Sequence, residues 1–163
     1  MRHITVFCQE LIPSRVAALS VLLFLGLSAQ AAFAQGRKIH VKNGNPDAAE
    51  PYDKPDFSNA AKTIEDGLDF AKSGDTIIIS EAGGTYFEHD LDVDEDNLVI
   101  TGRGVAASGR CERDTKPVVD GGGAGDPIFV IKSQKNVSIV GLVLNNGTAD
   151  EGGGVFCKQS RNV

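Results

Sequence analysis

The chain has 163 residues, a formal net charge of −6, no Trp, only 6% aromatic residues and 19 Gly, many of them in pairs or triplets. So acidic a chain is a poor partner for nucleic acid or for an anionic membrane surface. Its length allows one modest core, and its clustered glycines predict many turns.

Residues 1–34 read as a secretory signal. Arg2, His3 and Arg15 make a basic start, and 16–29 is a nearly unbroken apolar run of 14 residues. That run is shorter than the roughly 20 residues needed to cross a bilayer. Ala32-Phe33-Ala34 then gives the small-x-small cleavage pattern. A secreted or cell-surface chain beginning at Gln35, with no membrane span after cleavage, is the expectation.

IHV (39–41) alternates briefly as a short strand, and KNGNPDAAEPYDKPD (42–56) is a loop rich in Asn, Asp and Pro. Ser58 or Asn59 offers an N-cap. Ala61, Ile64, Leu68 and Ala71 follow at helical spacing, with Lys72 in the last turn and Gly74 beyond it. The spacing predicts a short amphipathic helix over 59–73, weakened by Gly67.

After the helix the period changes. TIIIS (76–80), NLVIT (97–101), PVV (117–119), IFVI (128–131), VSI (137–139), LVL (142–144) and VFC (155–157) are short, rich in β-branched residues and bounded by Gly, Asn or Asp. No second helical pattern separates them, and Asn146-Gly147 is the one hairpin-type dipeptide between them. PIFVIKSQKNV (127–137) aligns with GGVFCKQSRNV (153–163) at an offset of 26 residues, matching Lys132 with Lys158, Asn136 with Asn162 and Val137 with Val163. Asn97-Leu98 precedes Asn136-Val137 by 39, and residues 103–115 read as an insertion that accounts for the excess. A fixed period of this size predicts an all-β solenoid, in which each residue lies over its counterpart one coil earlier. Apolar columns then point inward and turn Asn residues form ladders. The expected inward positions are Ile77, Ile79, Leu98, Ile100, Val118, Phe129, Ile131, Val137, Ile139, Leu142, Leu144, Val155 and Cys157.

AKTIEDGLDFAKSGDTIIISEAGGTYFE (61–88) resembles the opening of secreted right-handed parallel β-helix proteins of the pectate-lyase-like superfamily. NLVITGRG, VVDGGG, NVSIVGL and GGGVFC are similar to its repeating phrases, and the resemblance covers residues 39–163. It implies a right-handed parallel β-helix with an N-terminal amphipathic capping helix, and as partner either extracellular polysaccharide or, for a non-catalytic adhesin-type structural helix, a cell-surface molecule. It implies no particular activity. The Arg-x-Pro-x-x-Arg passage of the lyases is missing, as is the Asp-Asp, Gly-His-Gly and Arg-x-Lys set of the polygalacturonases. Catalytic residues are therefore unassigned, and Arg103, Arg110 and Arg113 read as loop residues. The sequence stops part-way through a repeat, so the chain is expected to be the N-terminal part of a longer product, marginal or prone to aggregate alone.

Several residues offer chemistry. In HDLDVDEDN (89–97) acids alternate with Leu91 and Val93. Asp92, Asp94 and Asp96 are candidates for Ca²⁺, a hard cation that wants clustered carboxylates. An EF-type loop is excluded, because its sixth and twelfth positions would be Asn97 and Arg103. A solvated strand face explains the strip more simply. Asp120 and Asp126 are candidate acid/base carboxylates, with turn formation beside glycine as the simpler role. His89 reads as a solvated side chain. Cys157 aligns with the inward Ile131 and reads as a core thiol, with a Cys111–Cys157 disulfide as the alternative open to an exported chain. Asn136-Val-Ser138 and Asn146-Gly-Thr148 match the glycosylation acceptor pattern, which matters only in a eukaryotic secretory host.

Overall fold

The computed structural model describes residues 36–102 and 116–163. Among the described residues ten short strands form three sheets, and every pairing in them is parallel. The first sheet holds β1 (Lys38–Val41), β2 (Thr76–Ile79), β5 (Val99–Gly102) and β8 (Ser138–Val140) in that order. The second holds β3 (Tyr86–Phe87), β6 (Val118–Asp120) and β9 (Val143–Asn145). The third holds β4 (Leu91–Val93), β7 (Phe129–Lys132) and β10 (Val155–Lys158). From β2 onward the chain visits the three sheets in rotation, so each new strand pairs with the one laid down a full pass earlier. Strand β3, of two residues, was too short for a periodic signal of its own, whereas β4 lies in the alternating strip 89–97.

Parallel strands in register place like residues over like. Ile39, Ile77, Ile100 and Ile139 form one column of the first sheet. Tyr86, Val119 and Leu144 form a column of the second, and Leu91, Phe129 and Val155 one of the third. Most of these side chains are fully buried and belong to a single core, with Ile139, Leu144 and Val155 packed against it from the last pass. Tyr86 is the largest of them. Its hydroxyl donates to the Ser80 carbonyl at 2.7 Å and accepts from the Asn43 amide at 3.2 Å, so its polar end is satisfied at depth. Burial pushes that phenol up to about 12.

The turns stack as well. Asn97, Asn136 and Asn162 all sit at positive φ, between 55° and 58°, where Asn is among the few side chains that settle. Asn136 donates to Asn97 Oδ1 at 2.9 Å, and Asn162 donates to Asn136 Oδ1 at 2.8 Å. The offsets are 39 and 26 residues, as the aligned phrases require.

Three expectations need correction. The α-helix, α1, runs Ile64–Phe70 and is capped by Thr63, whose hydroxyl accepts from the Asp66 amide at 3.0 Å. It does not begin at 59, because Ala61 lies extended along β1: its amide donates to the His40 carbonyl and its carbonyl accepts from Lys42. Strand-edge pairing there outweighs helix propensity. At the other end Ala71 is extended, and the carboxylate of Asp75 gathers the Lys72 amide, the Arg37 amide and the Arg37 guanidinium. Burial works against that carboxylate, but these bonds prevail and hold it below its ordinary range. In β6 the inward residue is Val119 rather than Val118, which is half-buried. Cys157 keeps its predicted place over Ile131 but is exposed, since β10 is the edge strand of its sheet.

Helix α1 packs on β1, β2 and β4. Gly67 has a clear role: a Cβ there would meet Val41 Cγ2 at 2.8 Å, so the missing side chain lets the helix press on β1. Glu88, just after β3, accepts from the amides of Ile64 and Glu65 at 3.0 and 3.1 Å. Burial pushes its carboxyl above the ordinary carboxylate range, more than these bonds pull it down, and repulsion from Glu65 and Asp66 adds to the rise. A group raised on folding contributes stability that is present at acidic pH and lost as pH rises through its folded value. Glu88→Gln removes that titration. Urea unfolding at pH 4 and pH 7 should find wild type gaining on the variant at the lower pH. A gain at the higher pH would contradict this assignment.

Candidate functional site

The outward face of the second sheet carries the most distinctive surface group. Because Tyr86 points into the core, its neighbour Phe87 must point out, and it is 77% exposed. Register places Phe87 beside Asp120, and Asp120 beside Asn145. An apolar ring, a carboxylate and an amide therefore form one row, about 4.8 Å apart.

The turn after β6 fixes the row's centre. Asp120 Oδ1 accepts from the Gly122 amide at 2.8 Å, and the Asn146 amide reaches both carboxylate oxygens at 2.9–3.0 Å. Further round the corner, Gly125 N–H donates to Thr148 Oγ1 at 2.9 Å, and Thr148 N–H donates to the Asp126 carbonyl. His89 Nδ1 lies 3.7 Å from Asp126 Oδ2, with both side chains about half exposed. The row offers a flat apolar face next to a carboxylate of fixed orientation and an exposed amide, which suits a hydroxyl-rich ring.

Leu91 and Val93 are buried while Asp92 and Asp94 are exposed, the arrangement of a solvated strand face. Asp96 uses Oδ1 to accept from the Lys135 amide at 2.8 Å. Among the described residues no three His, Cys, Asp or Glu side chains converge to hold a metal ion, so the structure does not gather Asp92, Asp94 and Asp96 into a Ca²⁺ site. Asp120 is committed to its turn as an acceptor. Both glycosylation-pattern asparagines have their amides engaged, Asn136 in the ladder and Asn146 on Asp120. Arg103, Arg110, Cys111 and Arg113 lie outside the described residues, so the Cys111–Cys157 pairing does too. Phe87 was missed in the sequence. The signal was there: two adjacent aromatics in a strand must face opposite sides.

Searches against family models, curated proteins and solved structures find no match to this chain. Among the described residues no helix is long and apolar enough to cross a membrane.

Proposed function

We propose that the chain is a secreted right-handed parallel β-helix, capped at one end of its core by α1, that binds or acts on extracellular polysaccharide along the outside of the second sheet. What supports the winding is the rotation of the chain through three parallel sheets, together with the strong bias of parallel crossovers towards the right hand. The likeness of its phrases to the pectate-lyase-like superfamily points the same way. The observation that carries the binding reading is the row Phe87, Asp120 and Asn145. The ring of Phe87, 77% exposed beside the turn-held Asp120 carboxylate, is an apolar face on which a sugar ring can stack.

A second reading is a non-catalytic surface or adhesin-type rod. The commitment of Asp120 to its turn favours it, since a carboxylate held by three donor contacts is poorly placed to shuttle protons.

Incubation of the full chain with pectate, alginate and chondroitin, with and without Ca²⁺, separates the two. New unsaturated-uronate absorbance identifies a lyase and new reducing ends alone a hydrolase. Binding without turnover identifies a binding module, and neither binding nor turnover leaves the rod. On whichever polymer binds, Phe87→Ala should weaken affinity about tenfold, as loss of an exposed stacking ring costs about 1–1.5 kcal/mol. Unchanged affinity would remove Phe87 from the site.

A further inference from the structure

The repeated phrase does more than stack core residues and asparagines, because each copy also carries two basic residues three positions apart. Lys132 of β7 pairs with Lys158 of β10, and Lys135 bridges to Arg161 in the turn that follows. The backbone thus holds four cations in two columns at the corner leaving the third sheet, with about 4.8 Å between neighbours in a column. All four are exposed, and among the described residues none of their side-chain nitrogens makes a hydrogen bond or ion pair. The nearest acids on the preceding pass are Asp94 and Asp96, and Asp96 is occupied by the Lys135 amide. An acidic chain that stacks unpaired cations in register sets like charges side by side, at a cost that an anionic partner would offset.

We propose that this basic grid is a docking site for a sulfated polysaccharide lying along the stacking direction. Two parallel columns match a linear polymer with repeated charges better than a single small anion. Three backbone amides at the corner are engaged between the passes: Ser133 donates to Lys158 O, Asn136 to Arg161 O, and Arg161 to Gln134 O, each at 2.9 Å. Recognition by the grid falls to its flexible cationic side chains, which reach further from the backbone than the amides do. Sulfate esters stay ionised next to one another and pair with Lys and Arg without a bridging cation. The grid leads off the third sheet and the Phe87 row lies on the second, so this inference stands apart from the polysaccharide reading above.

The test uses the full chain and heparin as the probe, with uncharged dextran, polygalacturonate, a DNA oligonucleotide and anionic phosphatidylserine vesicles alongside. Heparin should bind, and its affinity should fall roughly 50–150-fold between 50 and 200 mM salt, as expected for about four neutralised charges by analogy with other polyanions. The double variant Lys132→Glu/Arg161→Glu should bind at least about tenfold more weakly at 50 mM salt. A control of equal charge change elsewhere, Lys62→Glu/Lys72→Glu, and Phe87→Ala should both stay within about twofold. Should the reversal variant misfold, Lys135→Gln/Lys158→Gln should flatten the salt dependence by about half. The proposal is overturned by absent heparin binding, by equal losses in the grid and control variants, or by equal or tighter binding of polygalacturonate, DNA or vesicles.

Discussion

Gly147→Ala should destabilise the protein by about 3 kcal/mol, lowering its melting temperature by roughly 10 °C. A Cβ on Gly147 would stand 1.9 Å from the Gly153 carbonyl oxygen and 2.7 Å from its carbon. The obstacle is backbone, not a side chain that can swing away. Gly153→Ala should do similar damage, since its Cβ would meet the Gly147 oxygen at 2.3 Å. Both glycines sit at the corner between β9 and β10, where two stretches of main chain touch. Gly122→Ala provides the contrast. That glycine has φ of 64° and nothing within 4 Å of its missing Cβ, so only the left-handed backbone penalty of about 1 kcal/mol applies. Thermal unfolding followed by circular dichroism ranks the three. Equal losses at Gly147 and Gly122 would show that the close main-chain contact is not what the glycine serves.

Asn136→Ala should cost about 2 kcal/mol. Two contributions add. The middle rung of the ladder loses its bonds to Asn97 and Asn162, worth about 0.5 kcal/mol each at an exposed site. Alanine must also hold a φ of 55°, costing about 1 kcal/mol. Asn136→Gly separates them, because glycine accepts that backbone and loses only the side-chain bonds. It should fall about midway between wild type and Asn136→Ala in urea unfolding. If Asn136→Gly matched Asn136→Ala, the backbone share would be absent. If neither variant lost stability, the ladder would contribute nothing.

How far the sequence could be read depended on whether a feature was local or repeated. The ladder and the 26-residue offset were legible because stacking in register writes the same residue at equivalent places, and IKSQKNV and CKQSRNV preserve that text. The inward set was legible where a four-residue strand alternates in burial, as in β2 and β5; in β7 Val130 is buried along with Phe129 and Ile131. It slipped by one at β6, where three residues, two of them Val, give alternation nothing to distinguish. The helix start was misread because Ser58, Asn59 and Ala61 carry good local helix signals, while what decides their conformation is the open edge of β1, distant in sequence. Cys157 was placed correctly in register but not in burial. Register follows from the repeat, whereas burial depends on what lies over the strand. The Phe87 row and the basic grid each join residues more than 20 positions apart. They become visible as surfaces only once the passes are laid side by side.

Successive passes of the chain lie parallel and in register, with each residue beside its counterpart one pass earlier. Nuclear Overhauser contacts in the isotopically labelled full chain test this most directly. The side-chain amide of Asn136 should show contacts to both Asn97 and Asn162, with parallel-type backbone contacts linking Ile131 to Cys157. Antiparallel contacts between Ser138–Val140 and Val143–Asn145, with none between Asn136 and Asn162, would contradict the account.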